Sequence, residues 1–254
     1  MFLVKYDDLP DFMKNDEVKK YYNILCRKKI SLFFKRIFDI LASLIILIIL
    51  SPIMLILAIC IKIDSKGPVF YRQERVTING KIFRIFKFRT MVQNADKIGS
   101  LVTVGKDNRI TRVGRFIRKF RLDEFPQLLN IITGDMSFVG TRPEVKKYVD
   151  KYTNSMKATL LMPAGVTSMA SIKFKDEDEI LNKYLHEEKE KVAVAVSNTS
   201  SNEEKKTDEK LIIDEAYVNE VLPEKMKYNL EYIEKFSVIN DFKICVNTVI
   251  GVLK

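Results

Sequence analysis

The 254-residue chain has no tryptophan, one histidine and three cysteines. His186 alone leaves little room for His-based triads or multi-histidine metal sites. It lies in a polar stretch and reads as a solvated surface residue. Cys26, Cys60 and Cys245 are odd in number, scattered and without CxxC spacing, so they form neither a disulfide framework nor a zinc site. Acid–base or nucleophilic chemistry therefore falls to carboxylates, lysines or hydroxyls. Acidic charge is in deficit: 33 Asp/Glu against 43 Lys/Arg give a net charge of +10. That balance suits an anionic partner such as a lipid headgroup or a nucleotide.

Long apolar runs are also scarce, with one exception. Ile40 to Ile61 reads ILASLIILIILSPIMLILAICI. As a helix it would be roughly 33 Å long, enough for a hydrocarbon core of about 30 Å. It starts too late, runs too long and lacks the cleavage site of a signal peptide. Two readings stay open. One is a plain membrane span that tolerates a proline kink. The other is a hairpin bent at Ser51-Pro52. Pro52 has no N–H for the carbonyl of Ile48, and the Ser51 hydroxyl can bond freed backbone groups. Lys28, Lys29, Lys35 and Arg36 precede the run; Lys62, Lys66, Arg72 and Arg75 follow it. Lys and Arg stay on the cytoplasmic side, and only the hairpin keeps both clusters there.

Residues 1–34 read as a helical lead-in near the membrane. Asp64-Ser65-Lys66-Gly67-Pro68 marks a turn, and Val69–Val76 and Lys81–Phe88 are strands joined at Asn79-Gly80. From Lys62 to Arg121 there are 16 Lys/Arg against 4 Asp/Glu. Arg109, Arg112, Arg115 and Arg118 recur every third residue, along one side of a helix, with Phe116 and Phe120 on another. A solvated basic face, a membrane-surface helix and a phosphate site all fit. No nucleic-acid reading motif occurs there, which argues against nucleic acid. Pro126–Ile132 predicts a helix stopped at Gly134. Met136–Val139 predicts a strand, and Glu144–Met162 an amphipathic helix broken by Pro163-Ala164-Gly165. Residues 187–210 read as a mobile insertion. Residues 211–254 read as helical and broken at Pro223, with Tyr228, Tyr232, Phe236, Ile239 and Phe242 as an apolar stripe.

The most chemical spot is Asp123-Glu124, two adjacent carboxylates after a run of cations and before Pro126. They could cap the following helix. Alternatively, one is a nucleophile toward a phosphoryl group and the other binds Mg²⁺, with arginines neutralising phosphates. The surrounding positive charge predicts an ionised Asp123.

The order of motifs resembles the monotopic phosphoglycosyl transferases, the bacterial sugar transferases that begin glycan assembly. Those motifs are Lys35-Arg36-Ile37-Phe38-Asp39, Ser51-Pro52, Gly67-Pro68-Val69-Phe70-Tyr71-Arg72-Gln73-Glu74-Arg75 and Phe86-Lys87-Phe88-Arg89-Thr90-Met91. They continue with Leu122-Asp123-Glu124-Phe125-Pro126-Gln127-Leu128, the stretch from Gly134 to Pro143, Leu222-Pro223-Glu224-Lys225 and Asn229-Leu230-Glu231-Tyr232.

The resemblance implies transfer of a sugar phosphate from a UDP-sugar to polyprenyl (undecaprenyl) phosphate, releasing UMP. It implies Asp123 as a nucleophile forming an aspartyl-phosphosugar, Glu124 as the Mg²⁺-associated residue, and Lys87, Arg118 and Arg142 as phosphate-binding cations. Ser51-Pro52 matches the break of a re-entrant membrane helix, with the active site on the cytoplasmic face of the bacterial inner membrane. A homodimer and downstream glycosyltransferases are further partners to look for. The expected fold is α/β, mostly helical with a small β-hairpin and interfacial amphipathic helices. Its parts are a lead-in (1–34), a re-entrant helix (35–63), a catalytic domain (64–186), an insertion (187–210) and a C-terminal helical part (211–254). The resemblance implies the small, single-domain form.

Two departures stand out. Thr141 replaces the family's usual proline. Met162–Ala170 replaces a stretch that usually reads Arg-Pro-Gly-Ile-Thr-Gly-Trp-Ala, so nucleotide or sugar contacts there are lost or altered. A rival of another class is a non-catalytic anchored scaffold whose basic face holds anionic lipid or a partner protein.

Overall fold

A computed structural model of the chain describes residues 3–95, 107–173 and 214–253. His186 and the segment 187–210 lie outside them. The described residues are mostly helical, with two small two-stranded sheets.

Helix α1, Asp16–Cys26, starts where the Asn15 side chain accepts a hydrogen bond from Val18 N at 3.0 Å. It buries Val18, Tyr21, Tyr22 and Leu25 in the main core, together with Met13 and Leu9 from the turns before it. The lead-in thus contributes to the domain core, because its apolar residues recur at helical spacing and find partners there.

Helix α2, Lys29–Asp64, is a single helix of 36 residues with Pro52 inside it. The sequence pointed to two arms meeting at Ser51-Pro52; the backbone is helical through both residues. Ser51 Oγ donates to Ile48 O at 2.8 Å, the same carbonyl that Pro52 leaves without its usual donor. The lost ladder bond is locally replaced, so the helix continues. The helix is long and apolar enough to cross a membrane, with mean hydropathy 3.3 over its most apolar window and 11% of that window buried. A core helix of a soluble protein would be mostly buried; this one leaves its apolar surface outside.

The two ends of α2 are tied to one folded body. Near its start, Arg36 donates to Ile131 O and Ile132 O, Asp39 accepts from Ser137 Oγ and Phe138 N, and Lys35 pairs with Asp241 at 2.5 Å. At its far end, Arg89 donates to the carbonyls of Ser65 and Lys66, and Asp64 accepts from Val113 N. Between them, Ile46, Leu47 and Leu50 pack on Ile85, Leu128 and Ile131, and Leu57 and Ile61 pack on Phe88 and Ile117.

Strands β1, Phe70–Val76, and β2, Ile82–Phe88, pair antiparallel with Val76 opposite Ile82. Asn79 (φ 56°) and Gly80 (φ 74°) turn the chain between them, as the Asn-Gly signal predicts. Helix α3, Arg112–Lys119, is capped by Thr111, whose hydroxyl accepts from Gly114 N. A 3-10 turn, Leu122–Glu124, leads into α4, Gln127–Thr133, which ends at Gly134 (φ 93°). This left-handed position is one that glycine occupies without a Cβ penalty.

Strand β3, Met136–Val139, pairs parallel with β4, Ala164–Thr167. β4 lies where the sequence showed only a helix breaker. Gly140 and Gly165 let the two backbones meet, since a Cβ on Gly165 would stand 2.3 Å from Gly140 N. The amphipathic helix expected over Glu144–Met162 is instead one turn, α5 (Lys146–Val149), and a 3-10 helix, Met156–Leu161. Thr153 divides them: its hydroxyl contacts Ser155 and accepts from Met156 N, the local bonding that competes with helix.

Helix α6, Met169–Lys173, follows β4. After the undescribed segment comes a π-helical turn, Tyr217–Val221, then α7, Leu222–Glu234, and α8, Val238–Leu253. The chain breaks between α7 and α8, at Lys235-Phe236-Ser237, not at Pro223. Pro223 sits in the first turn of α7, where a missing N–H costs least. The expected stripe splits there: Tyr232 and Phe236 are buried, while Ile239 and Phe242 are exposed.

Candidate active site

β1, β2, α3, the 3-10 turn and the loop after β3 converge on one cavity of about 1590 Å³. The hairpin register fixes its wall. Tyr71 lies opposite Lys87, Gln73 opposite Ile85 and Arg75 opposite Phe83, so these six share a face and Lys87 and Arg75 both line the cavity. The other face carries Arg72, stacked 3.5 Å over the Phe86 ring, and the Arg84–Glu74 pair.

Asp123 and Glu124 reach the cavity because Arg121 takes a left-handed conformation (φ 55°) and redirects the chain out of α3. Such strain in a non-glycine residue is often found at functional sites. Helix α4 has Pro126 at its N-cap and no side-chain cap bond, so neither carboxylate caps it by a hydrogen bond.

The two neighbours sit in different environments. Glu124 Oε1 accepts a hydrogen bond from Lys87 Nζ at 3.1 Å. Burial works to raise its pKa, but Lys87, Arg142 and Arg121 outweigh burial and hold it below the ordinary glutamate value. Asp123 Oδ2 lies 3.9 Å from Lys87 Nζ, outside hydrogen-bond range. Among the described residues no side-chain donor bonds its oxygens. Burial, with the neighbouring Glu124 charge, raises its pKa above the ordinary aspartate value against the pull of Lys87 and Arg118. The positive surroundings act as expected, toward the ionised form, but burial contributes more to the direction of the shift. A pair of carboxyls pushed in opposite directions is the pattern of two groups with two roles. The raised partner, once ionised, is the more basic and therefore the stronger nucleophile.

The structure thus brings Lys87, Arg118, Arg142, Asp123 and Glu124 to one cavity. Ser51 and Pro52 do not join it; they lie exposed on α2. Arg109 pairs with Asp107 at 2.6 Å. Sequence reasoning passed over Arg75 as a site residue. Its guanidinium donates to Pro143 O and Gln73 Oε1, and burial lowers its pKa despite the nearby Glu144 charge. The available signal was period two: counted back across the Asn79-Gly80 turn, Arg75 shares a face with Lys87. Glu144, Tyr217 and Lys225 were missed as well. Tyr217 OH donates to Glu144 at 2.6 Å, and Lys225 Nζ lies 3.3 Å from the same carboxylate, tying α7 to the loop that carries Arg142.

The donor set suits a hard divalent cation. Mg²⁺ takes oxygen ligands, one or two of them carboxylates, with phosphate oxygens and water completing the shell. Among the described residues there is no cluster of three or more protein ligands, so a cation here would depend on the substrate's phosphates.

A family description reading bacterial sugar transferase matches residues 30–254. The chain belongs to this family. It is 48% identical over 120 residues to a UDP-N-acetylgalactosamine-undecaprenyl-phosphate N-acetylgalactosaminephosphotransferase of Aeromonas hydrophila, covering 47% of the chain and 28% of that protein. It is 39% identical over 160 residues to a UDP-glucose:undecaprenyl-phosphate glucose-1-phosphate transferase of Klebsiella pneumoniae, covering 61% of the chain and 34% of that protein. With the galactosyl transferase CpsE of Streptococcus agalactiae the identity is 36% over 184 residues, covering 65% and 41%. The sugar transferase chain thus spans between about a quarter and two fifths of the length of these relatives. Its first 29 residues fall outside the family match, although they fill part of its core.

Proposed function

We propose that the protein transfers a sugar 1-phosphate from a UDP-sugar to polyprenyl phosphate and releases UMP, as the first membrane step of glycan assembly. The observation that carries this reading is the half-buried Asp123, with no side-chain hydrogen-bond donor among the described residues, beside the lysine-held Glu124, with cations in the same cavity. An Asp123 oxygen attacks the phosphorus that bears the sugar. A P–O bond forms, the P–O bond to the bridging oxygen breaks, and UMP departs with that electron pair. A phosphate oxygen of the lipid acceptor then attacks the same phosphorus, and the Asp123 carboxylate leaves. The product is a lipid-linked diphosphosugar and free Asp123.

Lys87, Arg118 and Arg142 neutralise the diphosphate as charge shifts onto the leaving UMP. Glu124 is the residue to hold Mg²⁺, which when bound supplies further charge neutralisation at the phosphates. No general base is needed for attack by a carboxylate, so the scarcity of histidine is no obstacle.

The membrane arrangement belongs to the same reading. Helix α2, continuous through Pro52, is kinked there in the bilayer, so that it enters from the cytoplasmic face and leaves by the same face. Support comes from its two ends, which dock on one polar body that cannot occupy both sides. Phe116 on α3, Phe120 at its C-cap, and Ile239, Phe242 and Val249 on α8 are exposed apolar residues suited to the interface.

The test is UMP release from a panel of UDP-sugars with polyprenyl phosphate and Mg²⁺. Turnover with one sugar, lost in Asp123→Asn, supports the assignment. Salt-sensitive membrane binding with no UMP from any UDP-sugar would instead favour the scaffold.

A further inference from the structure

The cavity does not end at the dyad. Ile85 and Lys87 are next-but-one neighbours on the same face of β2, about 7 Å apart. Lys87 touches Glu124, whereas Ile85 packs with Ile46, Leu47 and Leu50 of α2. One step along the strand therefore leads from the charged site to an apolar groove.

That groove has two helical walls. Phe38, Ala42, Ile46 and Leu50 line it at every fourth position of α2. Phe242, Cys245 and Val249 line it from α8. The walls are pinned together at one end by the Lys35–Asp241 pair, and Phe138 and Val166 of the two central strands form the floor. The charges at the pinned end are already spent. Asp241 is taken by Lys35 and Tyr232, and Asp39 by Ser137 and the Phe138 amide. They offer nothing to a second anion. Beyond them the groove offers hydrocarbon contact, and both walls show further apolar surface outward.

We propose that this α2–α8 groove holds the hydrocarbon chain of the lipid phosphate acceptor, with its phosphate at Lys87 and the dyad and its tail running along Leu50, Ile46 and Ala42. The inference rests on the phosphoryl-transfer reading of the same cavity. Its occupant follows from the continuity of the groove with the cations: one end fits an anionic head and the rest fits a chain of apolar carbons.

Two arms test this. In the kinetic arm, Ala42→Phe narrows the groove and Ile48→Phe alters the outward, non-lining face of the same helix. The groove predicts that Ala42→Phe raises KM for a long-chain polyprenyl phosphate about tenfold. KM for the UDP-sugar and the UMP burst without acceptor stay as they are, and Ile48→Phe behaves like the unmodified protein. Equal behaviour of the two variants overturns the proposal.

In the labelling arm, a polyprenyl phosphate carrying a photoreactive group on its tail is added to the full-length protein in phospholipid nanodiscs. Label concentrated on Phe38, Ala42, Ile46 and Leu50, and on the lining residues of α8, and competed by unlabelled polyprenyl phosphate, supports the groove. Label spread over Ile48, Ile53 and Ile56, or competed equally by phospholipid, overturns it. Lack of UMP release by the unmodified protein would sink the assigned reaction, while the labelling pattern still decides the groove.

Discussion

Two of the carboxylate–lysine clusters that line the cavity differ in what their oxygens touch. At the pinned end of the groove, Lys35 meets Asp241 at 2.5 Å, Tyr232 OH bonds the other Asp241 oxygen at 2.9 Å, and Asp39 is held by Ser137 and Phe138. At the other end, Lys87 bonds Glu124 and stops 3.9 Å short of Asp123. The residue types are nearly the same. A buried charge whose bonds are made is a fastener; a half-buried carboxylate with no hydrogen bond from another side chain carries a desolvation cost and is available to react. Charge count alone would have ranked the clusters equal, whereas hydrogen-bond accounting separates them.

The largest expected effect tests the reactive end. Asp123→Asn should lower UMP release by about a thousandfold or more, the scale of removing a covalent nucleophile. It should leave thermal stability unchanged or higher. A carboxyl whose folded pKa is raised favours the folded state most below its unfolded pKa and loses that contribution as pH rises through the folded value. The uncharged amide escapes that loss at neutral pH. A clear fall in Tm would contradict the comparison.

Asp241→Leu tests the fastening end. It strands the Lys35 charge in a buried position, and losing one partner of such a pair costs about 3–5 kcal/mol. Denaturant unfolding in a mild detergent should show that loss. Should the variant keep full stability but lose chemistry, the roles of the two clusters would have to be exchanged.

Lys87→Met should reduce kcat/KM on the order of a hundredfold, as loss of a charge stabiliser does, with a much smaller change in stability. The pH dependence sharpens this. Asp123 must be ionised to attack, so kcat/KM should fall as pH drops through its raised pKa. Lys87 pulls that pKa down, so its removal should move the acid limb toward higher pH. A limb that does not move would detach Lys87 from Asp123.

Much of this was legible in the chain itself. The Asn79-Gly80 hairpin, the Pro126-to-Gly134 helix and the strand at Met136–Val139 appear where local signals placed them. The cavity gathers Lys87, Arg118, Asp123, Glu124 and Arg142 from motifs spread over 56 positions. What was not legible depended on distant partners. β4 exists because Gly165 fits against Gly140, and no local pattern marks a four-residue parallel strand. Arg36 and Asp39 read as part of a motif, but their work is to dock α2 on α4 and β3. The raised pKa of Asp123 ran against its basic surroundings because burial, invisible in the sequence, sets the larger contribution. The long helix through Pro52 followed from Ser51 Oγ reaching Ile48 O, a single bond that sequence allows but does not decide.

The most direct measurement is intact-mass and peptide mass spectrometry of the protein incubated with its UDP-sugar and Mg²⁺, without lipid acceptor. Asp123 as nucleophile predicts an added mass of one sugar phosphate, located on the peptide that contains Asp123 and discharged when polyprenyl phosphate is supplied. An adduct on any other residue, or full turnover by Asp123→Asn, would contradict it.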